Sequence, residues 1–282
     1  MNKKSTKKLD HATIVIIVFL SVVALLQIAP FYLQIVSSLQ SMDFLPEAGK
    51  IYLWPEDGLH FENYLEAIER VELFEGLINS LIVATGFCLM SGLIILLAGY
   101  VLGKKQFRGK KAVNFCMLLT MVVPGELLMV TNYKLVSDLG WTNEFAGLIL
   151  PGIVNITGIF LVKSFMNTIP DALLESAEID GMGEIRKLFN VILPLTAPVL
   201  ATYFILTFVA QWNDYLWPMV ITSDPELFTL QLKLKEFNPY YEGYGDEILK
   251  NAALIMTIVP VIGVYLTCQK QFVSGLSVTG MK

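Results

Sequence analysis

The sequence predicts an all-α integral membrane protein with six transmembrane helices and one short cytoplasmic helix between spans 4 and 5. Three observations predict it. Of 282 residues, 55% are hydrophobic and 16% charged, against about 25% charged in an average soluble domain. Six segments are apolar and long enough to cross a bilayer, which takes roughly 20 residues as a helix. Lys and Arg are sorted to one side of those segments.

The first segment, residues 12–36, has no Asp, Glu, Lys or Arg and follows Lys3, Lys4, Lys7 and Lys8. It exceeds a signal-peptide core of about 7–15 residues, and no small-residue cleavage site follows, so it reads as a retained helix. Residues 37–76 form an outer loop. Within it, Phe61, Tyr64, Leu65, Ile68 and Val71 recur at helical spacing between acidic residues, which predicts a short helix lying on the outer membrane surface.

Residues 77–103, 145–162 and 251–269 also lack charge, while 112–133 contain only Glu126 and 188–223 only Asp214. Lipid offers the backbone no hydrogen-bond partner, so these segments are expected to be helical. Pro30, Pro124, Pro151, Pro198, Pro218 and Pro260 interrupt them and are expected to bend or break helices. Gly86, Gly92 and Gly99 leave room for close helix contacts. The whole reads as one transmembrane domain, residues 1–282, with a core of spans 2–6 at 77–270 and a cytoplasmic tail at 271–282.

With the N-terminus inside, 14 Lys and Arg face the cytoplasm and 6 face out. The turn from Gly103 to Lys111 supplies five of the inner set: Lys104, Lys105, Arg108, Lys110 and Lys111. Six spans return the C-terminus to the cytoplasm. The expected location is therefore the cell membrane, multi-pass, with both termini cytoplasmic.

Several function classes fall away. The net charge of −5 argues against a nucleic-acid partner. Cys88, Cys116 and Cys268 lie in apolar stretches without metal-type spacing and read as packing residues. His11 and His60 are isolated. No nucleophile, metal or histidine constellation supports an enzyme. The run from Gly103 to Lys111 has five residues between its glycines rather than four and lacks the Ser or Thr that would hold magnesium, so it is no phosphate loop.

The segment Ile169-Pro-Asp-Ala-Leu-Leu-Glu-Ser-Ala-Glu-Ile-Asp-Gly181 is the most informative. Thr168 is a candidate cap, Pro170 suits the first helical position, Asp171 favours the positive helix end and Gly181 is a stop. A helix of about 11 residues, roughly 16 Å long, is predicted. Leu173, Ala177 and Gly181 fall on one stripe, with Leu174 and Glu178 beside it. Asp171, Glu175, Glu178, Asp180 and Glu184 make this segment, within residues 170–187, acidic against a basic cytoplasmic face.

Glu175-Ser-Ala-Glu-Ile-Asp-Gly181 followed by Ile192-Leu-Pro194 resembles the coupling motif of bacterial ABC-importer permeases, with Ser176 where Ala is usual. Asn79-Ser80, Phe107-Arg-Gly109, Pro124, Trp212-Asn-Asp-Tyr-Leu-Trp-Pro218 and Gln271-Phe-Val-Ser-Gly275 are similar to the same family in the same order. The resemblance covers roughly residues 60 to 282 and points to the carbohydrate-uptake branch, similar to the smaller maltose-type permease subunit. It implies the type I importer permease fold. It implies also that Leu173, Leu174, Glu175, Ser176, Ala177, Glu178, Asp180 and Gly181 seat in a cleft of a separate ATPase, with Glu175 its charge partner. ATP and magnesium would sit on that ATPase, with no cofactor bound by this chain. The implied partners are a second homologous permease, two ATPase subunits, an external solute-binding protein and a sugar.

Two further places are candidates. Gln211, Trp212, Asn213, Asp214 and Tyr215 form the densest polar-aromatic cluster in any span and either line a solute pathway or anchor the helix at the interface. Glu126 and Asn155 are weaker cavity candidates, or satisfy helix breaks. In the outer loop from Ser223 to Glu247, Phe237, Tyr240, Tyr241 and Tyr244 are either a contact surface for the binding protein or a plain interfacial aromatic loop. Asp214 and Glu126 also keep open an ion-coupled secondary carrier. Within the importer reading, a glycerol phosphate-type solute remains open beside an oligosaccharide.

Overall fold

The computed structural model describes residues 10–47, 49–237 and 244–279, and among these it contains helices and turns without a strand. The helices are α1 (His11–Ser38), α2 (Glu62–Arg70), α3 (Leu73–Lys104), α4 (Lys110–Thr120), α5 (Met129–Asp138), α6 (Phe145–Ile149) and α7 (Ile156–Met166). They continue with α8 (Asp171–Ile179), α9 (Glu184–Lys187), α10 (Leu193–Trp212), α11 (Leu216–Ile221), α12 (Leu230–Lys235) and α13 (Tyr244–Thr279). The chain divides into two compact units, Met1–Val71 with Phe237–Met256, and Glu72–Glu236 with Thr257–Lys282.

Among the described residues, four helices are long and apolar enough to cross a membrane: His11–Ser38, Leu73–Lys104, Glu184–Trp212 and Gly245–Thr267. A fifth crossing arises only if the bent pair Lys110–Thr120 and Gly125–Asp138 counts as one span, and that pair turns by 92°. The apolar run over 112–133 is thus broken at Pro124-Gly125, one of the interruptions expected from its prolines. The segment 145–162 is likewise split into α6 and the shorter α7 around Pro151-Gly152, where Gly152 has φ +85°. Pro30, Pro198 and Pro260, by contrast, stay inside their helices. The two breaks occur where glycine follows proline, so a missing N–H donor coincides with a backbone free to turn.

In the first unit, α2 forms where the amphipathic spacing predicts it. Asn63, Ala67 and Val71 are buried, whereas Phe61 and Leu65 stand exposed. Asn63 anchors the inward face. Its amide donates to the carbonyls of Ser38 (2.9 Å) and Gln40 (2.8 Å), while Tyr64 and Ser38 share a 2.8 Å hydroxyl contact. These bonds satisfy two carbonyls at and just after the end of α1. Asn251 of α13 donates to Ser37 Oγ at 2.9 Å.

The core of the second unit gathers Ile95, Tyr100, Ile159, Val162, Met166, Leu174, Leu188, Ile192, Val199 and Tyr203. It lies where α3 packs against α7 and α10. Gly99 permits that approach: a Cβ there would stand 2.5 Å from Val162 Cγ1 and 2.8 Å from its Cβ. Gly86 meets Ile149, but Gly92 has nothing within 4 Å and faces open space, contrary to its expected packing role. Asn79 donates to the carbonyls of Glu226 (2.8 Å) and Phe228 (3.1 Å), and Ser80 Oγ accepts from Leu230 N–H at 2.8 Å. These two residues pin the stretch before α12 onto α3.

Val162 is β-branched and stiff, so overpacking at Gly99 has no cheap escape. Gly99→Val is expected to destabilise the purified protein by about 1–3 kcal/mol, read as a lowered thermal unfolding midpoint. Gly92→Ala should leave the midpoint unchanged or raise it.

Candidate functional site

The short helix α8 covers nine residues, two fewer than predicted. Pro170 itself occupies the N-cap, with φ −60° and ψ 133°. Thr168 does not cap; its hydroxyl donates to the Phe165 carbonyl at 2.7 Å. The far end closes as a Schellman motif: Met182 N–H reaches Ala177 O at 2.9 Å, and Gly181 N–H reaches Glu178 O at 3.0 Å. Gly181 has φ +77°, so the stop needs a residue without a Cβ.

Lysines of the same chain hold most of the acidic side chains that make this segment distinctive. Lys104 Nζ bonds Asp171 Oδ1 at 2.6 Å and also the Ile169 carbonyl. Lys187 Nζ bonds Glu178 Oε1 at 2.5 Å and Glu184 Oε1 at 2.6 Å. Glu184 takes two more donors, Lys105 Nζ at 2.8 Å and Tyr100 Oη at 2.9 Å. The Lys187 side chain is 2% exposed and that of Lys104 7%, while Glu178 and Glu184 are more than half exposed. Buried ammoniums thus meet carboxylates at the surface. The hydrogen bond to Glu184 raises the Lys105 pKa and keeps it charged.

Two acids differ. Glu175 and Asp180 are exposed, and among the described residues neither side chain has a hydrogen bond or ion pair in this chain. Leu174 and Ala177 turn inward and are buried, so the stripe drawn through Leu173 and Ala177 is divided by the fold. Leu173, Glu175, Ser176, Ile179, Asp180 and Gly181 remain on the outside, with Ser176 Oγ returned to the Leu173 carbonyl at 3.0 Å. The result is an outward strip of apolar and small residues flanked by two free carboxylates. It can receive a cationic partner without breaking any internal pair.

The cluster at 211–215 marks the end of α10 and the turn into α11. Trp212 is 1% exposed, stacks on Phe208 at 5.7 Å and donates to the Thr257 carbonyl at 3.2 Å. Asn213 donates back to the Val209 carbonyl at 2.8 Å, and Asp214 Oδ1 accepts from Trp217 N–H at 3.3 Å. Gln211 is half-buried, and Tyr215 lies under Lys235 Nζ at 5.7 Å. These side-chain contacts of Trp212, Asn213 and Asp214 serve packing or the helix break. Asn155 has the same kind of role, capping α7 by accepting from Gly158 N–H at 2.7 Å. Glu126 is exposed.

Phe237 is 3% exposed and so is no free contact residue. Tyr240, Tyr241 and the side chain of Tyr244 lie outside the described residues. Cys88 is buried, but Cys116 is exposed in the single chain, against its expected packing role. Among the described residues, no group of three metal-ligating side chains comes together.

Sequence reasoning missed the partners of the acidic segment. Lys104, Lys105 and Lys187 were read only as topology signals, and Tyr100 as an apolar-span residue. The available signal was charge balance: five carboxylates within 14 residues beside a cluster of lysines.

The comparisons with known proteins agree with this architecture. The family model described as binding-protein-dependent transport system inner membrane component matches residues 95–269. The arabinooligosaccharides transport system permease protein AraQ of Bacillus subtilis is 29% identical over 271 residues, covering 95% of each chain. The melibiose/raffinose/stachyose import permease protein MelC of the same bacterium is 32% identical over 276 residues, covering 95% of this chain and 96% of MelC. The sn-glycerol-3-phosphate transport system permease protein UgpE of Agrobacterium fabrum is 31% identical over 253 residues, with 87% and 89% covered. Among solved structures, a chain of a bacterial ABC transporter involved in the import of the acidic polysaccharide alginate superposes with a TM-score of 0.83. It shares 26% identity and is matched over 95% of this chain and 100% of that chain. This chain is a multi-pass membrane protein and belongs to the inner-membrane permeases of binding-protein-dependent ABC transport systems.

Proposed function

We propose that the chain is one of two permeases in an importer that carries an oligosaccharide across the cell membrane by alternating access. The observation that carries this reading is the outward strip of α8, an apolar and small-residue surface with Glu175 and Asp180 unpaired. A separate ATPase pair, holding ATP and magnesium, receives that strip in a cleft. Closure of the pair on ATP pulls α8 and rocks the two permeases to open a cavity outward; hydrolysis restores the inward-facing state. An external binding protein delivers the solute.

The orientation rests on the lysine and arginine count, with both termini cytoplasmic. Six crossings follow if α4–α5 and α6–α7 each count as one broken span. Such breaks are tolerated at membrane depth where protein or a water-filled cavity satisfies the freed backbone. Family membership leaves the ion-coupled carrier without support. The oligosaccharide is preferred to a glycerol phosphate because AraQ and MelC are named for oligosaccharides and the solved relative imports a polysaccharide.

Two outcomes are expected. Glu175→Gln keeps the shape of the helix and removes the free charge. It should weaken retention of the ATPase about tenfold or more, as expected for losing one partner of an interfacial charge pair, measured by titrating the ATPase onto the permease pair. An unchanged affinity would remove the electrostatic part of the docking. In proteoliposomes with the binding protein, ATP hydrolysis should rise with oligosaccharides and not with glycerol 3-phosphate. The reverse ranking would reassign the solute.

A further inference from the structure

We infer that Glu184 is the hub of an ionic clamp that fixes α8 to the ends of α3 and α10, with Lys187, Lys105, Lys104 and Tyr100 as positioning residues for energy transfer. This rests on the proposed role of α8 as the element the ATPase moves.

The need for a clamp comes from the joints at both ends of α8. Pro170 breaks it from the preceding chain, and Gly181-Met-Gly183 separates it from α9, with Gly181 in the left-handed region. Only Leu174 and Ala177 of this helix are buried. A nine-residue rod with so little apolar anchorage needs further ties to pass on a side load.

The charges close a ring that supplies those ties. Lys104 at the end of α3 holds Asp171 in the first turn of α8 (2.6 Å). Glu178 in its last turn is held by Lys187 of α9 (2.5 Å). Lys187 also holds Glu184 (2.6 Å), which returns the ring to α3 through Lys105 (2.8 Å) and Tyr100 (2.9 Å). Both ends of α8 are therefore tied to α3, one directly and one through α9. Lys187 leads straight into a π-turn at Leu188–Ile192 and then α10. Such turns are frequent at functional sites. A displacement of the clamped unit is thereby delivered to the base of α10. The buried ammoniums favour a fixed geometry, because each loses hydration that its carboxylate partners, and for Lys104 also the Ile169 carbonyl, replace.

The test uses the whole complex with its ATPase and binding protein in proteoliposomes, reading solute imported per ATP hydrolysed. Wild type establishes that the two are coupled; if it imports without ATP, the proposed function fails and not only the clamp. With coupling established, Glu184→Gln and Lys187→Met are expected to keep the ATPase bound and hydrolysing while lowering the ratio about fivefold or more. Lys187→Arg should stay near wild type. A merely structural role would lower import and hydrolysis together and leave the ratio alone. Tyr100→Phe, which removes one hydroxyl and is expected to assemble, should lower the ratio about twofold. Unchanged ratios in whichever of these variants assemble would overturn the inference.

Discussion

Lys187 brings an ammonium group to 2% exposure and sets it against two carboxylates that themselves remain in water. Much of the second unit's architecture depends on this contact and its neighbour at Lys104. Removing the partners of such an ammonium would leave its charge uncompensated. The cost is smaller where the carboxylates are half exposed and screened by water. A group so placed defines geometry more than it adds stability. It determines which face of α8 looks inward and which acids are left for a partner.

Much of the fold was legible because apolar length and the exclusion of charge are strong signals. α1, α3, α10 and α13 lie where uncharged runs predict them. The bent α4–α5 pair and the split α6–α7 pair were harder. Proline alone does not decide the outcome: Pro30, Pro198 and Pro260 persist within helices, while Pro124 and Pro151, each followed by glycine, end them. In α2, hydrophobic patterning marked the helix but not its inward contact, where the buried amide of Asn63 satisfies two carbonyls.

At the candidate site, the sequence located α8 within a residue or two and marked Gly181 as its stop. It did not divide the acids into those held by the chain and those left over. Lys104 and Lys105 reach Asp171 and Glu184 from distant sequence, which local spacing cannot show, whereas Lys187 lies near Glu178 and Glu184. At 211–215 the sequence left a solute path and an interfacial anchor side by side. In the structure, Trp212 donates to the Thr257 carbonyl of α13, while Asn213 and Asp214 bond backbone groups around the end of α10. Asn79 and Ser80 are the converse case, recognised as part of a pattern and explained only by the strand of backbone they hold before α12.

The most direct measurement is site-directed cross-linking from the exposed face of α8. A cysteine at Ile179, whose side chain is 87% exposed, carrying a short photoactivatable group, should attach to the ATPase subunit in membranes and block ATP-dependent uptake once attached. Adducts only with lipid or other chains, with uptake undiminished, would contradict the account.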